Sequence, residues 1–200
     1  MSVNYRQSKP VVVRSYKNTW SDEFSQIASK MRAGLGQSAL RIDHIGSTSV
    51  KQLAAKDIID IQITIKDIES AEDFISKMEV MGYRQRGSIR LDELRGCDPT
   101  QTHQLKKLYF REPIDARRTH VHVRQLGYLN QRFALVFRDY LRTNEIVKSN
   151  YESIKFSLSE IFPEQIDGYL SIKDPLMNII FQGAENWAKA SNWKPDSEFV

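Results

Sequence analysis

The segment that most constrains this chain runs from Leu40 to Ile65, LRIDHIGSTSVKQLAAKDIIDIQITI. Isoleucine recurs at positions 59, 61, 63 and 65, while 58, 60, 62 and 64 hold Ile, Asp, Gln and Thr. A period of two is that of a strand, so the four isoleucines share one face and Asp60, Gln62 and Thr64 share the other. Such a strand needs an apolar layer on one side, and on the other it carries a carboxylate that is costly to bury without a partner. Upstream, Leu40 to Ile45 reads as a second strand that stops at Gly46-Ser47, with a short helix expected from Ser49 to Ala55. Glycine lets the backbone approach an anion closely, and Ser47 or Thr48 is placed to cap a helix whose free N–H groups favour negative charge. Gly46, Ser47, Thr48 and Ser49 are therefore candidate phosphate contacts. Asp60 is a candidate ligand for a divalent cation that positions a nucleoside triphosphate. The turn is not a Walker loop, because no Gly-Lys-Ser/Thr ends it.

Trp20, Phe24, Ile27, Ala28, Met31 and Leu35 recur at helical spacing and predict a helix over one face of the sheet, capped by Thr19 or Ser21. Val11 to Val13, just after Pro10, suit an edge strand or a strapping arm. Ala71, Phe74, Ile75 and Met78 predict a second helix closed by Gly82, with a strand from Tyr83 to Ile89 after it. Residues 91–102, rich in charge and holding Gly96 and Pro99, read as a loop that includes a mobile flap, with His103 at its end. Leu105 to Phe110 and Thr119 to Val123 read as strands. In the second of these Arg118, His120, His122 and Arg124 share a face. From Tyr128 onward three helices are expected, over Leu129 to Leu141, over Ile146 to Ile161 closed by Pro163, and from Pro175 to Trp187. The layout is an α/β (α+β) sheet unit over residues 1–126, a helical cap over 127–191 packed on it, and a frayed tail over 192–200.

With 200 residues there is enough chain for a sizeable core, and the formal charge of +4 suits phosphate-bearing ligands without demanding a nucleic acid. The charges are dispersed, so nucleic acid is not the favoured partner. The single cysteine, Cys97, excludes an internal disulfide and a thiolate zinc cluster. Together with an N-terminus lacking a long apolar core and the want of any spanning apolar run, it points to the cytoplasm and away from a membrane.

His120 and His122 form a His-x-His pair on one strand face, suited to holding a metal together with Asp60 or to facing solvent. His44 falls on the face of Leu40 and Ile42 and reads as a core histidine that orders the Gly46 turn. Asp57, at an odd spacing from Asp60, turns to the opposite face. Arg117, Arg118 and Arg124 are candidate phosphate contacts, Arg118 being best placed by phase beside His120. Lys106-Lys107 suits a solvated sheet edge.

HIGSTSV followed by LAAK and IIDIQI resembles the GrpB family (UPF0157-type) of small bacterial proteins, a branch of the nucleotidyltransferase superfamily. THVHVR, FRDYLRTN and Ala-Glu-Asn-Trp at 184–187 extend the resemblance over residues 12–190. The superfamily pattern is Gly-Ser, a short helix, and a strand bearing Asp-hydrophobic-Asp/Glu. Gly46-Ser47 and Asp60 match it, and Gln62 stands where the second carboxylate belongs. The resemblance implies a nucleotidyltransferase-like mixed sheet flanked by helices with a C-terminal helical segment. It also implies a divalent metal, magnesium or manganese with zinc as an alternative, and the family's His-x-His strand lies near the Gly-Ser turn. Asp60, His120 and His122 then form the catalytic and metal set, with Gln62 and Arg118 among the substrate contacts. The expected activity moves a nucleoside monophosphate from a triphosphate to a small-molecule or macromolecular acceptor. A nucleotide-binding module without turnover and a His/Asp metal enzyme acting on a small metabolite are the other two readings.

Overall fold

The computed structural model describes residues 10–94 and 98–196. Cys97 lies outside the described residues, as do Gly96 and the end of the tail from residue 197. Five strands form one mixed sheet in the order β1-β2-β5-β4-β3. These are β1 (Arg41–Ile45), β2 (Ile59–Ile65), β3 (Arg84–Gln85), β4 (Leu108–Arg111) and β5 (Thr119–Gln125). β2 runs parallel to β5, and every other neighbouring pair is antiparallel.

The isoleucine face of β2 behaves as its period requires. Ile59, Ile61, Ile63 and Ile65 are buried with Ile42, Phe110, Val121 and Val123 in one cluster. Two helices close it, α1 (Thr19–Leu35) through Trp20, Ala28, Met31 and Leu35, and α2 (Glu72–Val80) through Phe74 and Met78. Asn18, not Thr19 or Ser21, sits at the α1 N-cap and makes no side-chain cap bond.

The opposite face is polar and is laid out in cross-strand rows. Asp60, His120 and Arg111 form one row, and Asp43, Gln62, His122 and Tyr109 the next. Thr64 and Arg124 lie in a third row with Arg41. α3 (Leu129–Thr143) covers much of this face, where the Gln131 carbonyl receives Gln62 and Arg138 donates to the His44 carbonyl at 3.0 Å. α4 (Glu145–Ile161) and α5 (Ile166–Ala190) complete the cap. They enclose Val50 and Leu53 with Phe137, Leu141 and Tyr151.

Several expectations are corrected. No helix forms over Ser49 to Ala55: a 3₁₀ turn spans Ser47–Ser49 and the chain then runs irregularly, with Gln52 at φ 63. Local side-chain bonds compete with helix propagation here, Ser49 Oγ donating to Gly46 O at 2.6 Å and Thr48 Oγ1 to Ile58 O at 3.3 Å. The strand expected over Tyr83 to Ile89 holds two residues, and a 3₁₀ helix spans Pro99–Leu105 in the region read as a loop. α5 begins nine residues before Pro175 and carries that proline inside it, because buried Tyr169 packs its first turns against Val11 and Leu158. The tail is pinned as far as Asp196: Trp193 Nε1 donates to Asp139 at 3.1 Å, and Arg41 donates to the Asp196 carbonyl. The Val11 segment is a strap, held by Val11 N on Pro163 O at 2.6 Å and by a bridge between Arg14 and Ala55.

Candidate metal and phosphate site

Parallel pairing of β2 with β5 sets Asp60 directly beside His120 and Gln62 beside His122. His120 Nδ1 lies 3.3 Å from Asp60 Oδ1. One ligand atom from each of Asp60, His120 and His122 falls within 4.8 Å of the others. Burial pushes the Asp60 carboxyl up, but the hydrogen bond from His120 and the charges of His120, His122 and Lys56 outweigh it, and the pKa is lowered. Burial lowers His120, and it holds His122 well below the ordinary imidazole range with help from Arg124 and Lys107. The lowered pKa of each group favours the deprotonated form that divalent metals require of these ligands. His122 Nδ1 is buried and has no hydrogen-bond partner among the described residues. A donor set of this kind fits a divalent cation.

Gly46 follows β1 with φ 69, and a Cβ built on it would come within 2.9 Å of Asp60 Cγ. The turn therefore touches the carboxylate, an approach that only glycine permits. Within the turn, Thr48 is tied to His44 Nε2 at 3.0 Å, and Ser49 is tied to Gly46. Ser47 faces the cap, where its Oγ receives Lys155 Nζ at 3.0 Å. His44 is a core residue as expected, stacked on Phe24 at 4.6 Å, with its pKa lowered by burial to about 3.

Lys155 is missing from the sequence reading. It is buried in α4, also donates to the Ala54 carbonyl, and sits 4.7 Å from the Tyr151 ring centroid. Burial, followed by the charge of Lys173, lowers its pKa to about 7. Lys56, over the Tyr169 ring at 5.2 Å, is lowered to about 8 for the same two reasons. One signal was available: the inward positions of α4 are Lys148, Tyr151, Lys155 and Leu158, and lysines at two of the four inward positions are an anomaly.

Gln62, expected among the substrate contacts, is engaged within the protein. It is fully buried, its Oε1 receives Arg124 at 2.6 Å, and its Nε2 donates to the Gln131 carbonyl at 3.1 Å, so both ends of the amide are occupied. Arg124 also grips Asp92, which further receives Lys107 at 2.6 Å and Asn130 at 3.0 Å. Lys107 is accordingly buried and not a solvated edge, whereas Lys106 is half-buried and pairs with Glu69. Arg117 is committed to Glu23 and Asp57. Asp57 lies before β2 and binds Lys17 and Trp20, which removes it from the site. Arg118 lines a cavity that adjoins the row of Asp60 and His120.

Comparison with known proteins gives a consistent picture. A GrpB protein from Enterococcus faecalis, known from a crystal structure, superposes with a TM-score of 0.72 at 31% identity, over 88% of this chain and 99% of that one. A dephospho-CoA kinase of Mycolicibacterium paratuberculosis is 30% identical over 88% of this chain and 46% of its own length. The UPF0157 protein YqkA of Bacillus subtilis is 29% identical over 92% of this chain and 50% of its own. The chain thus spans about half the length of these curated relatives. Among the described residues no helix is long and apolar enough to cross a membrane. The GrpB protein model matches residues 10–182, and the chain belongs to the GrpB family.

Proposed function

We propose that the chain is a metal-dependent nucleotidyltransferase that moves a nucleoside monophosphate from a triphosphate to the hydroxyl of a small acceptor. The observation that carries this reading is the contact between two half-sites: the Gly46 backbone lies against Asp60, while Ser47 in the same turn holds Lys155. Asp60, His120 and His122 would hold a divalent cation, which supplies charge neutralisation and alignment to the phosphates. Gly46 and Ser47 receive the β- and γ-phosphates, and Lys155 supplies a positive charge from the cap side. Thr48 and Ser49 act in this reading by holding the turn in shape. The acceptor oxygen forms a bond to the α-phosphorus, the bond to the bridging oxygen breaks, pyrophosphate leaves, and the acceptor proton passes to water. The kinase name of the mycobacterial relatives is not carried over, since Gly46-Ser47 lacks the lysine ending of a kinase phosphate loop.

Two observations favour other readings. Gln62 occupies the second-carboxylate position with both ends engaged, which suits a nucleotide-binding module without turnover. Two imidazoles beside one carboxylate suit a metal enzyme acting on a small metabolite without nucleotide. Calorimetric titration with each nucleoside triphosphate, with and without magnesium or manganese, separates the three. Metal-dependent binding that is lost in Asp60→Asn supports the transferase. Nucleotide binding without turnover that survives Asp60→Asn supports the module. Silence with every nucleotide, alongside zinc, manganese or iron binding abolished by His120→Ala or His122→Ala, supports the metabolite enzyme.

A further inference from the structure

Beside the Asp60 row lies a cavity of about 410 Å³ with a markedly uneven charge. Arg14, Lys17, Lys56 and Arg118 line it, against the single carboxylate of Asp57. That carboxylate is already answered, by Lys17 at 2.5 Å, Trp20 Nε1 at 2.9 Å and the Arg117 guanidinium. Arg14 and Lys56 form no ion pair among the described residues. Converging cations in a concave space repel one another, and an anion of matching charge removes that penalty.

We propose that this cavity binds a small phosphomonoester and presents it to the Asp60 site as the acceptor of the transfer reaction. Three separate stretches of backbone build the walls. Arg14 comes from the N-terminal strap, fixed by reciprocal hydrogen bonds with Ala55 at 2.8 and 2.9 Å. Lys56 and Asp57 come from the segment before β2, and Arg118 stands one strand period before His120. Ile59 N binds the Arg118 carbonyl at 3.2 Å, which joins the second and third walls. A frame held this way needs little ordering on binding. The volume lies within the range of small-molecule pockets, roughly 300–1,000 Å³. A nucleic acid would call instead for a basic stripe along the surface, and the charges of this chain are dispersed. Lys56 supports the same conclusion: its ammonium is half-buried over Tyr169 and depressed by burial and by Lys173, a state that a bound dianion relieves. The role as acceptor rests on the transferase reading above, whereas the anion site stands on the cavity itself.

The test is calorimetric titration of the whole chain with ribose 5-phosphate and with inorganic phosphate, in chelator, using ribose as the neutral control. Both phosphates are expected to bind and ribose is not. Arg14→Ala and Lys56→Gln are each expected to weaken the phosphates about tenfold, the worth of one charge-assisted hydrogen bond. Arg14→Gln serves where the alanine variant does not fold. Arg14→Ala is expected to leave nucleotide and metal affinity at the wild-type value. A second titration with the nucleoside triphosphate and magnesium already bound is expected to give the same phosphomonoester affinity. Failure of wild type to bind either phosphate overturns the proposal, as does unchanged affinity in both variants. Displacement by the triphosphate also overturns it, because the cavity would then hold the nucleotide's own phosphates. Binding of a short oligonucleotide with no affinity for ribose 5-phosphate overturns the small-molecule assignment. Silence toward nucleotides with phosphomonoester binding intact defeats the transferase reading alone.

Discussion

The two ends of the polar sheet face invite comparison, because the same two strands build both. At one end Gln62, Arg124, Asp92, Lys107 and Asn130 are joined by ion pairs and hydrogen bonds in which every charge meets its opposite, and Asn130 Oδ1 is the atom of this group left without a partner among the described residues. At the other end, one strand period from Gln62, stand Asp60 and His120, and His122 reaches toward them from the Gln62 row with its Nδ1 atom unanswered among the described residues, while Lys155 is held with its pKa at about 7. The first arrangement locks the sheet to α3 and to the segment that carries Asp92. The second stores unfavourable electrostatics that a metal and a phosphate would relieve. Polar residues on a buried face thus differ in role according to whether opposite charges of the protein itself already pair them.

Asp92→Asn should break the closed end and produce the largest effect. It leaves Lys107 and Arg124 buried without their counter-charge, and a loss of about 3–5 kcal/mol in unfolding free energy is expected by denaturant titration. Nucleotide affinity of the folded variant should stay within a few-fold of wild type. Undiminished stability accompanied by lost ligand binding would reverse the roles assigned to the two ends.

Gly46→Ala addresses the open end. Positive φ costs about 1–2 kcal/mol for a side chain with a Cβ, and the new methyl would also displace Asp60. Metal affinity measured by titration should therefore fall far more than the modest drop in thermal stability suggests. Equal losses in Gly46→Ala and in a distant destabilised variant would mean that the turn has no special link to the carboxylate.

The smallest effect sharpens the comparison through pH. Lys155 titrates near 7 in the free protein, against 10.5 for an ordinary lysine, and a bound triphosphate favours its charged form. Nucleotide affinity should then fall by about tenfold per unit of pH above 7, until the pKa of the bound state is reached. Stability without ligand runs the other way. Between about 7 and 10.5 the unfolded chain binds the proton that folded Lys155 has lost, so this residue's contribution to stability rises with pH. Lys155→Met should flatten both trends; a slope that survives the substitution assigns the proton to another group.

Much of this was legible because strand periodicity is local. The alternation at 58–65 sets Asp60 on the polar face of its strand and that at 118–124 sets His120 and His122 on one face of theirs, while the family resemblance alone implied that the two come together. What escaped depends on distant partners. Asp92 sits in an irregular segment, and nothing near it in sequence announces that Lys107, Arg124 and Asn130 will converge on it. Lys155 gave a faint signal as a charge in an inward stripe. Gln62 read as a degenerate ligand because the sequence does not show that Arg124 and the Gln131 carbonyl take its two ends. Pro175 misled in the usual direction, since a proline is read as a boundary while packing of Tyr169 carries the helix past it.

The parallel register of β2 and β5 also orders events in time. Asp60 and His120 stand sixty residues apart in sequence, with α2 and two other strands between them, yet they are neighbours in the sheet. Pairings of such span close slowly, because the loop entropy must be met before the contacts repay it. The three candidate ligands are therefore scattered until the crossover has closed, and a cation that favoured this set would select chains that have completed it. Ligand binding at this site would act as a check on finished folding, and it would hold the longest-range joint of the sheet shut by mass action.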